Sequence, residues 1–153
     1  MKAKSKKILG VLLLTGGVLL GYSLWLSLRP VEIVAVHQRH HFSDVLVKDF
    51  PTTDQGKISW WLEKKEMLKS EYNIPKPASY GNFSITFWDF SEGYKEDEYD
   101  RLCFDDMKTD KNCIDKNAVF TVNNDSENRI IFTAYNGKYL LKENGEIVKF
   151  EYK

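Results

Sequence analysis

The chain has 153 residues, 42% hydrophobic and 14% aromatic, which is enough for one folded domain and too little for several. Its 22 basic and 22 acidic side chains cancel, but Lys2, Lys4, Lys6 and Lys7 are gathered at the start, leaving 18 basic residues against all 22 acids in the remainder. A mildly acidic remainder excludes the clustered Lys and Arg surface that nucleic acid requires.

Ile8 to Leu28 is a run of 21 residues without a charge (ILGVLLLTGGVLLGYSLWLSL). As a helix it would span about 30 Å, the thickness of a bilayer's hydrocarbon core, and a helix satisfies its backbone internally as lipid demands. Tyr22 and Trp25 lie toward its far end, where amphipathic rings favour the interface. Four lysines precede the run and only Arg29 follows closely, so the positive-inside rule keeps the N-terminus cytoplasmic. The expected organisation is a basic tip at residues 1–7, a transmembrane anchor at 8–28 and a domain at 29–153 on the other side. The rival reading is a signal peptide cleaved near Gly21-Tyr22-Ser23, but the apolar run continues through Leu24, Trp25 and Leu26. No cysteine lies near this end to carry a lipid. Gly17 to Gly21 has the small-xxx-small spacing of close helix packing, although glycine is common in such helices anyway.

Beyond the anchor, Val31 to Val36 and Val45 to Val47 read as strands, and Pro51 ends the second. Thr52 followed by Gln55 fits a capping box that opens a helix running to about Tyr72. Ile58, Trp61, Leu62 and Leu68 form its apolar stripe, Lys64, Lys65, Glu66 and Lys69 are left for water, and Pro75 and Pro77 forbid continuation. Phe83, Ile85 and Phe87 alternate with polar neighbours as a strand does, and Ser91 to Asp100 is an acidic stretch without period, expected as a surface loop. Asn136-Gly137 and Asn144-Gly145 punctuate three extended runs, which predicts a three-stranded meander. Two-residue turns would pair Tyr135 with Lys138 and Glu143 with Glu146, placing Ile130, Phe132, Ala134, Tyr139, Leu141, Val148 and Phe150 on one face. Val119 to Asn123 offers a fourth strand through the turn at Asn123 to Ser126. The expected fold class is α+β: a transmembrane helix, then an antiparallel sheet with one packed helix.

The two cysteines, Cys103 and Cys113, lie on the non-cytoplasmic side in this reading and are expected to form a structural disulfide. A redox pair would have C-x-x-C spacing, which is absent. His37, His40 and His41 cluster, but neighbours in an extended segment point to opposite faces, so a solvated loop is preferred to a metal site. Asp105, Asp106, Asp110, Asn112 and Asp115 lack the glycine and closing glutamate of a calcium loop. No catalytic motif is present, and neither a metal nor a cofactor is expected. The segment that best suits a partner sets Trp88, Phe90 and Tyr94 beside Glu96, Asp97, Glu98 and Asp100. Aromatic anchors amid charge make a protein-binding surface for a basic partner; the plainer reading, rings in the core and acids in water, is favoured.

Three strings carry a family likeness: VLVKDFPTTDQGKISWWLEKKEMLKSEYNIPKP (Val45 to Pro77), ITFWDFSEGYKE (Ile85 to Glu96) and DRLCFDDMKTDKNCIDKN (Asp100 to Asn117). They resemble the enterobacterial family known as domain of unknown function 943, with the C-terminal meander less tied to the pattern. The resemblance implies a Gram-negative inner membrane and a periplasmic domain, and supplies no activity or catalytic residue. The expected function is non-enzymatic protein binding, with an immunity protein against a basic, periplasm-acting toxin as its concrete form. A structural or regulatory envelope component and a carboxylate-dependent hydrolase are the alternatives.

Overall fold

A computed structural model describes residues 14–21 and 30–150. The chain separates into two units, residues 1–30 and 31–153. In the first, residues 14–21 form a helix (α1). Among the described residues no helix is long and apolar enough to cross a membrane. The lysine tip, Tyr22, Trp25 and the remaining parts of the expected 8–28 span lie outside them.

The second unit opens with a hairpin, β1 (Glu32–Arg39) and β2 (Phe42–Lys48), turned at His40 with φ 54°. Helix α2 (Asp54–Tyr72) then leads to β3 (Ser84–Asp89). Strands β2 and β3 are parallel, so the expectation of a purely antiparallel sheet is corrected to a mixed one. The helix is the crossover that such a pair requires, since a tight turn can only reverse the chain. Two short strands, β4 (Arg101–Cys103) and β5 (Cys113–Asp115), pair apart from the main sheet. Then β6 (Ala118–Asn124), β7 (Ile130–Ala134), β8 (Gly137–Leu141) and β9 (Ile147–Phe150) complete a seven-stranded sheet ordered β1-β2-β3-β6-β7-β8-β9.

The helix starts one residue later than the spacing suggested. Thr53, in extended conformation, caps it by accepting from the Gly56 N–H at 3.0 Å, while Thr52 and Gln55 are exposed. With glycine three residues on, no side chain reaches back, so this is a single cap and not a box. Thr53→Ala should therefore cost about 1 kcal/mol in urea unfolding. At the other end Asn73 turns left-handed, φ 56°, and its N–H bonds the Lys69 carbonyl at 3.1 Å.

One face of the sheet packs on α2. Ile58, Trp61 and Leu68 meet Val45, Val47, Ile85, Phe87, Phe120, Val122 and Phe132, all buried. The rings interlock: Phe120 stacks on Phe132 at 5.9 Å, and Trp61 meets Phe132 edge-on at 5.5 Å. The other face of β1–β3 is covered as well. Leu46, Phe104 and Ile114 are buried there, with Val34, Ala35, Trp88, Phe90, Tyr94, Leu102 and Met107 packed around them. Val45, Leu46 and Val47 are consequently all shielded from water, as a strand covered on both faces must be.

The meander exists, with a different register. Ala134 pairs with Gly137, so the turn is Tyr135-Asn136 and only Gly137, φ 145°, has positive φ. That slip of two residues leaves the faces of β7 and β8 as expected. At the second turn Leu141 pairs with Ile147, a slip of one, so β9 is reversed: Ile147 packs toward the helix, while Val148 is paired with Leu140 and Phe150 with Lys138 on the opposite face. The cause is the loop. The Lys142 N–H bonds the Glu146 carbonyl at 2.8 Å, the Gly145 N–H bonds the Lys142 carbonyl at 2.9 Å, and Gly145 has φ 88°. This is a three-residue loop closed by a glycine bulge, which adds the residue that turns β9 over.

Candidate functional site

The layer opposite α2 holds the residues with chemistry. Its frame is the β4–β5 hairpin, in which Cys103 and Cys113 face each other directly and are joined by a disulfide. Backbone bonds in both directions between Lys95 and Cys113 add a third short extended segment beside it. Asp115 draws this edge together: Lys95 reaches it at 2.6 Å and Arg101 at 3.2 Å. The hydrogen bond from Lys95 is foremost among the causes that hold the Asp115 carboxyl at about 2. Lys95 also pairs with Glu92.

His37 fastens the layer to the sheet. Alternation along β1 points it away from α2, directly across from Asp44 on β2. Its ring is 6% exposed and lies flat on Phe104, centroids 3.8 Å apart. Nδ1 is 2.8 Å from Asp106 Oδ2, and Nε2 is 2.9 Å from the Tyr94 hydroxyl. A carboxylate at Nδ1 requires a proton there, so in the neutral ring Nε2 accepts from Tyr94. Burial, and then the Asp106 carboxylate, push the Tyr94 hydroxyl up from its ordinary value, so it keeps the proton it donates. Asp44, also buried, accepts from Trp88 Nε1 at 2.9 Å and from Arg39 Nε at 3.0 Å.

The expectation that the histidines lie in a solvated loop is thus corrected for His37, which is interior. His40 sits in the turn and His41 lies over Phe42 at 4.2 Å. The aspartates weighed for calcium are divided among other tasks: Asp106 goes to His37 and Asp115 to Lys95 and Arg101. Asn112 Nδ2 donates to the Phe104 carbonyl at 3.2 Å. Asp97 lies near both sulfurs, but these are joined to each other and offer no thiolate.

Of the candidate partner-binding residues, Trp88, Phe90 and Tyr94 pack against the second core, and Glu96, Asp97, Glu98 and Asp100 are exposed. Glu98 pairs with Arg101 at 3.2 Å and Asp100 with Lys116 at 3.2 Å. The ring that does stand in solvent is one the sequence reading passed over. Tyr99 is 100% exposed, between Glu98 and Asp100. Its signal was position: it lies within the stretch that lacks strand alternation, whereas Trp88 and Phe90 continue a strand.

No curated protein and no solved structure matches the chain. A family model does match, over residues 2–151, and so takes in the C-terminal meander together with the three strings that suggested the likeness. The chain belongs to that family, domain of unknown function 943, described as enterobacterial putative membrane protein.

Proposed function

We propose that the chain is a non-enzymatic, membrane-anchored domain on the periplasmic side of the inner membrane, binding a basic protein through the acidic edge of its disulfide layer. Its most concrete form is an immunity protein that neutralises an antibacterial toxin acting in the periplasm. The observation that carries this reading is Tyr99, wholly in solvent and flanked along the chain by the exposed Glu96, Asp97, Glu98 and Asp100, on a segment tied at both sides to Asp115 through Lys95 and Arg101. Residues 89–116 hold ten carboxylates against five basic side chains. Such a surface steers a positively charged protein, and an exposed tyrosine is a favoured anchor residue.

Three further features support the setting. The disulfide suits an oxidising compartment. The apolar run from Ile8 to Leu28 behind four lysines suits an anchor with that orientation. The family is described in membrane terms. As for the His37 trio, its ring is buried and stacked on Phe104 between the sheet and the layer, so the trio reads as a fastening.

The test is cross-linking in intact cells with a C-terminal tag, followed by identification of the captured protein and a growth-rescue assay against it. A basic secreted toxin captured in stoichiometric amount, and rescued from, is the expected result. Tyr99→Ala should weaken that complex by about 2 kcal/mol, roughly thirty-fold in Kd. Recovery of resident envelope proteins alone, or equal capture by a Tyr99→Ala, Glu96→Lys, Glu98→Lys variant, would overturn the reading.

A further inference from the structure

A second site lies farther along the sheet, where β6 and β7 come apart. Their last pair is Thr121 with Thr133. Beyond it β6 follows β3 instead, through a bulge: Phe120 pairs with Phe87 and Ala118 with Trp88, leaving Val119 as the extra residue. The opening is a cleft of about 260 Å³, with Lys57, Val119, Thr121, Thr133 and Tyr135 among its walls. At about 30 Å³ per water it has the volume of roughly nine waters, or of a small organic ligand.

Lys57 gives the cleft its chemistry. It comes from the first turns of α2, is 6% exposed, and donates from Nζ to the Val119 carbonyl at 2.9 Å. Among the described residues this is its one polar contact, and no carboxylate pairs with it. Asp54, one turn earlier, turns one oxygen elsewhere: its Oδ2 accepts from the Asn136 N–H at 3.0 Å and the Tyr139 hydroxyl at 2.7 Å, while its buried Oδ1 has no hydrogen-bond partner among the described residues. An ammonium has three protons to donate, and a buried one without a counter-charge is costly.

We infer that this cleft binds a carboxylate, with the Lys57 ammonium as its counter-charge and the splayed strands receiving the group behind it. Charge selects the class. The site offers one positive charge and no guanidinium fork, the helix start beside it is already capped by Thr53, and Asp54 stands in the first turn. A phosphate dianion would be under-compensated there, whereas a singly charged carboxylate is matched. Two sources share that chemistry, a free organic acid and the C-terminus of an extended peptide. The ends of β6 and β7 that do not pair with each other suit the backbone of the latter. Tyr135, almost fully exposed, stands at the rim.

The experiment uses the full-length chain in detergent micelles, labelled with nitrogen-15 and titrated with sodium acetate, acetyl-Ala-Ala and acetyl-Ala-Ala-amide. The two acids should shift the Val119 and Thr133 amide signals saturably, and the amide should bind at least about ten-fold more weakly. Acetyl-Ala-Ala binding more tightly than acetate assigns the site to a peptide terminus; equal binding assigns it to a free acid. Lys57→Met keeps the side-chain length, so its spectrum should stay dispersed while acid binding is lost. Thr133→Val, on the far wall, should weaken acid binding several-fold and keeps the test alive if the lysine variant misfolds. The inference is overturned by the absence of saturable shifts at millimolar acid, by equal shifts from the amide, or by binding that survives Lys57→Met. The cleft touches the disulfide layer only through Asn117, and neither Tyr99 nor its acidic neighbours line it, so Tyr99→Ala should leave these shifts unchanged, whatever becomes of the toxin reading.

Discussion

His37→Ala should destabilise the sheet domain by about 3–4 kcal/mol, read as a fall in the urea midpoint at unchanged slope. The ring is buried and stacked on Phe104, and the space it leaves is bounded by a disulfide-closed hairpin that cannot collapse freely. Removing an aromatic ring from such a site costs the transfer of its atoms and a cavity besides. The Tyr94 hydroxyl loses its acceptor, which adds about 1 kcal/mol or more because Tyr94 is partly buried. Asp106 contributes little to the total, since its side chain is 56% exposed and water replaces the ring nitrogen. His37→Phe separates the parts: it leaves no cavity and keeps an aromatic ring to stack, so the lost hydrogen bonds and a slightly larger ring account for an expected loss of about 1–2 kcal/mol. Hydrogen exchange at the Lys95 and Cys113 amides would show where the damage falls. If both variants cost less than about 1 kcal/mol, His37 is not what holds the layer down.

How much of this was legible in the residues depends on whether local pattern or long-range partnership decided the outcome. Helix α2 was legible because Ile58, Trp61 and Leu68 repeat at helical spacing and Pro75 ends the run. β3 was legible because Phe83, Ile85 and Phe87 alternate. The Asn-Gly pairs marked the meander correctly but misplaced its register, because one extra loop residue at Gly145 reverses β9 and leaves composition unchanged. The parallel pairing of β2 with β3 follows from a helix lying between two strands of one sheet, which no single segment reveals.

The second layer was harder. Its clue was Val45-Leu46-Val47, three consecutive apolar residues where a strand covered on one side would alternate. What covers Leu46 comes from residues 90–114, a stretch rich in charge and without period, so it reads as solvent-facing when taken alone. His37 shows the same difficulty. Its partners Tyr94 and Asp106 stand 57 and 69 residues away, and only the folded layer brings them to one ring. Lys57 is the converse case: a lysine on a helix is ordinarily written off to water, and the strand bulge at Val119 is what buries it.

Replacing both Cys103 and Cys113 by alanine should cost about 3 kcal/mol, the second large effect expected. Closing a loop of this length removes chain entropy from the unfolded state in that amount. The buried side of the hairpin adds to it, since Cys113 is fully buried and alanine leaves its sulfur's volume unfilled. Urea unfolding of the oxidised chain, the reduced chain and the double variant would measure the two contributions, reduction reporting the cross-link and alanine reporting cross-link plus cavity. The more telling comparison is the combination with His37→Ala. Both changes act on one layer around Phe104: His37 stacks on its ring from β1, and the disulfide joins the two short strands beside it. If the layer lets go of the sheet as a unit, whichever fastening is lost first releases most of the contacts. The combined loss should then fall short of the sum by 0.5 kcal/mol or more, on the order expected for residues sharing partners. Strict additivity would mean instead that the hairpin is stable by itself and that His37 holds only its own neighbours. In that case the acidic edge around Tyr99 would keep its shape without the ring, and His37→Ala should leave partner capture intact. If the layer detaches as one, capture should fall together with stability, which ties the buried ring on β1 to the surface more than fifty residues downstream.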